Sequence, residues 1–156
     1  MTNAAIQELV RLAWQSVAAP PRSSVRVIDR EFGERAFKAF AGIAPMSVDI
    51  DSAGFHASRP LFDLPPVAAA AYLGTFLLSI LCSLDYQEKT GIHDDIFTRP
   101  HLLFFLMQEE ADRLIERNLN PIQTDVLKVV TKYLISRAKL IHLDDIQVAR
   151  LSRFGN

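Results

Sequence analysis

Cysteine is almost missing from this sequence, which contains only Cys82. A single thiol cannot build a disulfide framework, so the default compartment is a reducing one. The first ten residues also lack the basic segment and apolar run of a secretory signal. We therefore expect a cytoplasmic protein.

The short motifs that mark common catalytic sites are missing too. The sequence has no C-x-x-C, no H-E-x-x-H, no phosphate-binding G-x-x-x-x-G-K-[ST] and no G-x-S-x-G. No glutamate is followed three residues later by histidine, the spacing used by di-iron helical bundles. These absences count against the familiar helical enzymes, and we predict no cofactor.

An excess of charge of either sign is lacking as well, since the formal net charge is −1. Nucleic-acid-binding domains are usually strongly basic. Basic side chains concentrate only along one late segment, at Lys128, Lys132, Lys139, Arg150 and Arg153. We interpret this segment as a solvated helix face and expect no nucleic-acid partner.

What stands out is an uncharged run from Val67 to Leu84, directly preceded by Pro65-Pro66. Proline is well tolerated in a first helical turn, because its missing N–H would have no partner there. A helix that is apolar on nearly every side is either buried or membrane-spanning. The run is at the short limit of the roughly 17–25 residues of a span, and its flanks are acidic. We therefore predict a buried central helix at 65–84 and no membrane association.

The remaining patterns predict an all-α fold: a single helical domain, 1–156, with five or six helices bundled around the central helix. Helices at 100–118 and 121–139 are expected to pack against it. Between 43 and 62 no helical period survives, and alternation at 47–56 suggests either a short hairpin or an irregular loop.

Arg137 is the clearest anomaly, because it projects into the apolar face of the predicted 121–139 helix. Three explanations remain open. Its stem packs while its head reaches water, or it pairs with Asp63 or Asp85, or it captures an anionic ligand. In the ligand hypothesis the binding residues are Arg137 and three polar residues of the central helix, Tyr72, Thr75 and Ser79.

The central helix also carries a stripe of small residues opposite a stripe of large ones. The small stripe comprises Ala68, Ala71, Thr75, Ser79 and Cys82. Small side chains allow a neighbouring helix to approach closely or leave space for a ligand, and close packing is the commoner outcome.

Two short segments resemble each other and suggest a metal site. Each contains a histidine near a pair of aspartates, at 92–96 and at 141–146. Imidazole and carboxylate are ligands of hydrolytic metal ions. The candidate ligands are His93, Asp94, His142 and Asp145. The alternative is that the aspartates cap helices or face solvent.

A homodimer is suggested by the Leu102–Met107 run, which offers more apolar surface than one neighbouring helix can cover.

Three stretches resemble a family of short, functionally uncharacterised bacterial proteins. They are LAWQSVAAPP at 12–21, FDLPPVAAAAYLGTFLLSIL at 62–81 and LNPIQTDVLKVVTKYLISRA at 119–138. The shared patterns are LPPxAxxxYLxxxLL and LxPxQxxxLxxxxxYL. The resemblance implies a bacterial cytosolic protein and assigns no site residues.

Three functional classes follow. The favoured one is a non-enzymatic helical interaction protein, an immunity-type or regulatory partner of another protein. The second is a small-molecule-binding domain with an anionic-ligand pocket at Arg137. The third is a metal-dependent hydrolase that uses the His93/Asp94 and His142/Asp145 segments.

Overall fold

The computed structural model describes residues 1–25, 37–52, 55, 64–92, 102–103 and 105–156. The fold is all-α, as predicted, and the described residues include no strand. The helices whose bounds lie among the described residues are α1 (Asn3–Trp14), α2 (Pro66–Thr90), α3 (Glu109–Asn118), α4 (Pro121–Ser136) and α5 (Asp145–Gly155), with 3₁₀ turns at Arg22–Val25 and Pro45–Ser47. Residues 37–40 are also helical.

The predicted central helix is α2, and its start is where the proline pair placed it. Pro65 is the N-cap and Pro66 the first helical residue. Its predicted end at Leu84 is wrong, because the helix continues to Thr90. Gly91 stops it in the left-handed conformation with φ 69°. The last turns are polar and solvated, and Asp85 pairs there with Lys89 at 2.6 Å.

By length and composition alone, α2 is the helix among the described residues that is apolar enough to cross a membrane. However, 83% of its most apolar window is buried inside the fold. This is the pattern of the core helix of a soluble protein.

Part of the small-residue stripe is closely packed, since Thr75 donates to the Pro45 carbonyl and Cys82 Sγ lies 3.5 Å from Gln7 Oε1 of α1. Helix α1 packs along α2. At one end of the contact, Asn3 Nδ2 donates to the carbonyl of Leu81 at 3.0 Å. At the other end, Trp14 Nε1 donates to the carbonyl of Ala70 at 3.3 Å. Trp14 is fully buried, and it lies where Gly74 leaves no side chain in its way.

The described part of 47–56 does not form the hairpin considered from the sequence. Ser47 closes a 3₁₀ turn, residues 48–52 contain no strand, and Phe55 is helical. Residues 53–54 and 56 lie outside the described part. The irregular-loop alternative fits, because Phe55 is fully buried and stacks on Phe76 with ring centroids 4.9 Å apart.

The predicted helix at 100–118 is interrupted. Residues 102–103 and 105–106 are helical, Met107 and Gln108 are not, and α3 begins at Glu109. Residues 98–101 lie outside the described part. Arg153 of α5 donates to the carbonyls of Leu106 and Gln108, at 2.9 and 3.1 Å, and so satisfies backbone acceptors released by the break.

The side chains described in the Leu102–Met107 run are buried within the chain or nearly so. Leu102, Leu103, Phe105 and Leu106 are at most 8% exposed. These side chains are therefore covered within one chain, and the run gives no reason to expect a homodimer.

Helix α4 packs mainly against α1 and α5, and the prediction that it packs against α2 is wrong, because these two helices make few contacts. Helix α4 begins at Pro121, as predicted. Asn120 is the N-cap and forms a capping box with Gln123, the third helical residue. It ends at Ser136 and not at Lys139. Gln123 is buried, and its side-chain amide also donates to the carbonyl of Ala13 at 3.3 Å.

Candidate functional site

Arg137 lies just beyond α4, as its C-cap, and not on a continuing apolar face. Its guanidinium forms an ion pair with Glu88 of α2 and stacks over the Tyr133 ring at 4.9 Å. Both members of the pair are partly exposed, at 39% and 32%. The hydrogen bond to Glu88 raises the pKa of Arg137 above its usual value.

The structure therefore combines two of the interpretations of Arg137, a packed stem with an accessible head and a carboxylate partner. Of the two predicted partners of Arg137, Asp85 is wrong, because it pairs with Lys89. The other, Asp63, lies outside the described residues. Exposed pairs of this kind typically contribute about 0–1 kcal/mol to stability.

Tyr72, Thr75 and Ser79 are buried in the core. The Tyr72 hydroxyl lies 2.7 Å from the Phe40 carbonyl and 3.0 Å from that of Ile43. Thr75 Oγ1 donates to the Pro45 carbonyl at 2.8 Å. The tyrosine and threonine hydroxyls therefore tie α2 to the 40–45 segment.

These three residues do not meet Arg137 in one pocket. Arg137 contacts α2 at Glu88, near its C-terminal end, whereas Tyr72 lies in its second turn. At about 1.5 Å per residue, the two positions are roughly 24 Å apart along the helix.

Replacement of Tyr72 by phenylalanine is expected to lower the free energy of unfolding by about 1 kcal/mol at pH 8, because buried carbonyls lose a donor. Burial also raises the pKa of Tyr72 to about 12. The folded state thus keeps a proton that the unfolded state loses near pH 10. The contribution of the protonated Tyr72 hydroxyl to the free energy of unfolding is complete below about pH 10 and is lost as pH rises towards 12.

Urea unfolding at pH 8, 10 and 11.5 tests this expectation. The wild type should lose stability between the last two pH values more steeply than Tyr72→Phe. Tyr86→Phe, a change at a residue that is 47% exposed, is the matched control and should follow the wild type. Parallel pH curves for wild type and Tyr72→Phe would contradict the assignment.

The metal candidates are only partly within the described residues, since His93 and Asp94 lie outside them. Asp144 and Gln147 form a capping box at the start of α5, and Asp145 is in the first turn. The capping interpretation of this aspartate pair is therefore confirmed for Asp144. Across the described positions, no group of three or more potential metal-ligating side chains comes together.

Cys82 is half-buried on α2, and burial raises the pKa of its thiol. A thiol in this state is a weak nucleophile at neutral pH.

Sequence reasoning missed two cavities that flank the start of α2. The first, which we call the terminal cleft, has a volume of about 560 Å³. It lies between the segment after α1 and the first turns of α2 and α4. Its described lining contains no charged residue and comprises Val17, Ala18, Pro20, Pro21, Ser24, Pro65, Val67, Ala68, Ala70, Ala71, Asn118, Asn120 and Gln123.

The second, which we call the arginine cavity, also has a volume of about 560 Å³. It lies between the start of α2 and one face of α3. Its lining comprises Leu64, Pro66, Phe105, Gln108, Glu110, Arg113, Leu114, Arg117 and Asn118. Asn118 therefore borders both cavities.

No family model, curated protein or solved structure matches this chain. The resemblance to short bacterial proteins stays a prediction from the sequence patterns.

Proposed function

We propose that this chain is a non-enzymatic helical protein of the bacterial cytosol that acts by binding another protein, as an immunity-type or regulatory partner. The terminal cleft is the surface that would receive the partner. The cytosolic location is supported by the lone cysteine and by the burial of α2 inside the fold. The bacterial origin is supported by the sequence resemblance.

The observation that carries the proposal is the internal engagement of the polar side chains around the cleft. Ser24 Oγ donates to the Pro21 carbonyl at 2.7 Å, and Asn118 Nδ2 donates to that of Leu114 at 3.0 Å. Asn120 and Gln123 bond each other's backbone N–H groups at 2.9 and 3.1 Å. Each of these four side chains thus already forms a hydrogen bond within the chain.

Such a cleft suits an apolar surface better than a polar substrate. The described part of its lining is uncharged, and a small-molecule site normally adds a few convergent polar groups that fix the orientation of the ligand. Val67 of the lining is 72% exposed, and Ile122, in the first turn of α4 between the lining residues Asn120 and Gln123, is 66% exposed. Large apolar side chains left in water beside an apolar cleft are typical of protein-binding surfaces.

The experiment is capture of partners from lysate of the native host on immobilised wild-type protein, with identification by mass spectrometry. The same capture is made with the double variant Val67→Glu/Ile122→Glu. Both side chains are exposed, so the carboxylates should leave the fold intact while placing charge at the rim. Captured partners should fall at least about tenfold, since desolvation of a charge in an interface is costly.

Ile146→Glu is the matched control, because Ile146 is 68% exposed and lies on α5, outside the cleft. It should capture the same partners as the wild type. Equal capture by the double variant and by wild type would place any partner elsewhere and contradict the assignment of the cleft.

A further inference from the structure

The arginine cavity differs from the terminal cleft in combining an apolar floor with cationic groups. Leu64, Phe105 and Leu114 provide buried apolar surface, at 6%, 3% and 6% exposure. The volume of about 560 Å³ lies within the roughly 300–1,000 Å³ usual for small-molecule sites. The three side chains come from the segment before α2, from the 102–106 run and from α3, so the cavity exists only in the folded chain.

Arg113 and Arg117 line this cavity from successive turns of α3, and both are exposed. Residues at this i,i+4 spacing share one helix face, where like charges repel each other. Among the described residues, no carboxylate forms an ion pair with either guanidinium. Glu110 also lines the cavity, so the described part of the lining carries a formal charge of +1.

Three other arginines of the described residues have a carboxylate partner. Arg11 pairs with Glu8, Arg137 with Glu88, and Arg153 with Asp112. The neighbouring acid on α3, Asp112, is thus engaged by α5, with its Oδ1 2.9 Å from Arg153 Nε. The two guanidiniums of the cavity keep donors that suit an oxyanion, which arginine binds through a planar fork.

We propose that the arginine cavity binds an amphipathic oxyanion, with its apolar tail on Leu64, Phe105 and Leu114 and its carboxylate or phosphate head between Arg113 and Arg117. The head pairs with two like charges held one turn apart. The tail packs against the apolar side chains that line the cavity. The site is distinct from the proposed partner surface and does not depend on it.

Isothermal titration calorimetry of the full chain tests the proposal with decanoate, decyl phosphate and uncharged decanol, each below its aggregation limit. At least one of the two anions should bind with one-to-one stoichiometry and at least about tenfold more tightly than decanol. Comparison of decanoate with decyl phosphate distinguishes the carboxylate head group from the phosphate head group. Shorter carboxylates should weaken binding by up to about fourfold per methylene removed.

The double variant Arg113→Gln/Arg117→Gln should weaken anion binding about tenfold to a hundredfold. Both side chains are exposed, so the fold should be retained, and circular dichroism checks this. Arg150→Gln is the matched control, because Arg150 is an exposed arginine that lies outside the cavity. It should bind as the wild type does.

Three results would overturn the proposal: no saturable binding of either anion, equal affinity for decanol, or unchanged affinity in the double variant. The variant Val67→Glu/Ile122→Glu separates this site from the partner surface. It should leave anion affinity within about twofold of wild type, whatever its effect on partner capture.

Discussion

Replacement of Trp14 by alanine is expected to lower the free energy of unfolding by about 4 kcal/mol. The indole is fully buried between α1 and α2, and deletion of a large aromatic side chain from a core typically costs about 3–5 kcal/mol. The change also removes the bond from Nε1 to the Ala70 carbonyl. Urea denaturation followed by circular dichroism measures the loss.

The control for this variant lies on the same helix. Leu12 is 51% exposed, so Leu12→Ala should change stability by less than about 1 kcal/mol. A loss below about 1 kcal/mol for Trp14→Ala would mean that the indole does not hold α1 against α2.

Replacement of Gly74 by alanine is expected to destabilise the protein by about 2 kcal/mol, although alanine is the better helix former. A Cβ at this position would lie 2.5 Å from Cγ and from Cδ2 of Trp14. The ring is enclosed and cannot move aside cheaply, and overpacking costs about 1–3 kcal/mol or somewhat more. The gain in helix propensity, about 1 kcal/mol, offsets only part of that cost.

A double-mutant cycle gives this prediction a sharp test. Once Trp14 is alanine, the clash is gone, and Gly74→Ala should become stabilising by up to about 1 kcal/mol. Gly155→Ala is a matched control, because its nearest neighbour would be the flexible Lys132 side chain at 3.3 Å. It should change stability little. Additive effects of the changes at 14 and 74 would contradict the contact.

The central helix and its start could be predicted from the sequence, because Pro65-Pro66 and an uncharged run are local signals. Its end could not. Asp85, Glu88 and Lys89 look like a polar connection, yet they sit on exposed helical turns where charge is tolerated. Glu88 is further held by Arg137, a contact between distant parts of the chain.

The break near Met107 was missed for a similar reason. Apolar periodicity runs on through the segment, and the carbonyls left by the break are satisfied by Arg153 from α5. A local pattern contains no trace of such a partner.

The candidate site shows the limit of local patterns most clearly. Arg113 and Arg117 lie on the solvent side of α3, and two like charges one turn apart were the available signal in the sequence. The apolar floor beneath them could not be foreseen, because Leu64 and Phe105 reach it from other segments. A cavity is a property of packing between elements, and the sequence specifies it only through the whole fold.

The bond from Gln123 to the Ala13 carbonyl joins residues 110 positions apart. During translation, at roughly 5–20 residues per second, α1 would leave the ribosome about 5 to 20 s before the segment that completes its packing. Throughout that interval the Trp14 side of the nascent helix lacks α4, and until α2 emerges it lacks both neighbours. Closure of the bundle is thus a late event in biosynthesis, and until then the apolar side of α1 stays uncovered by its native neighbours.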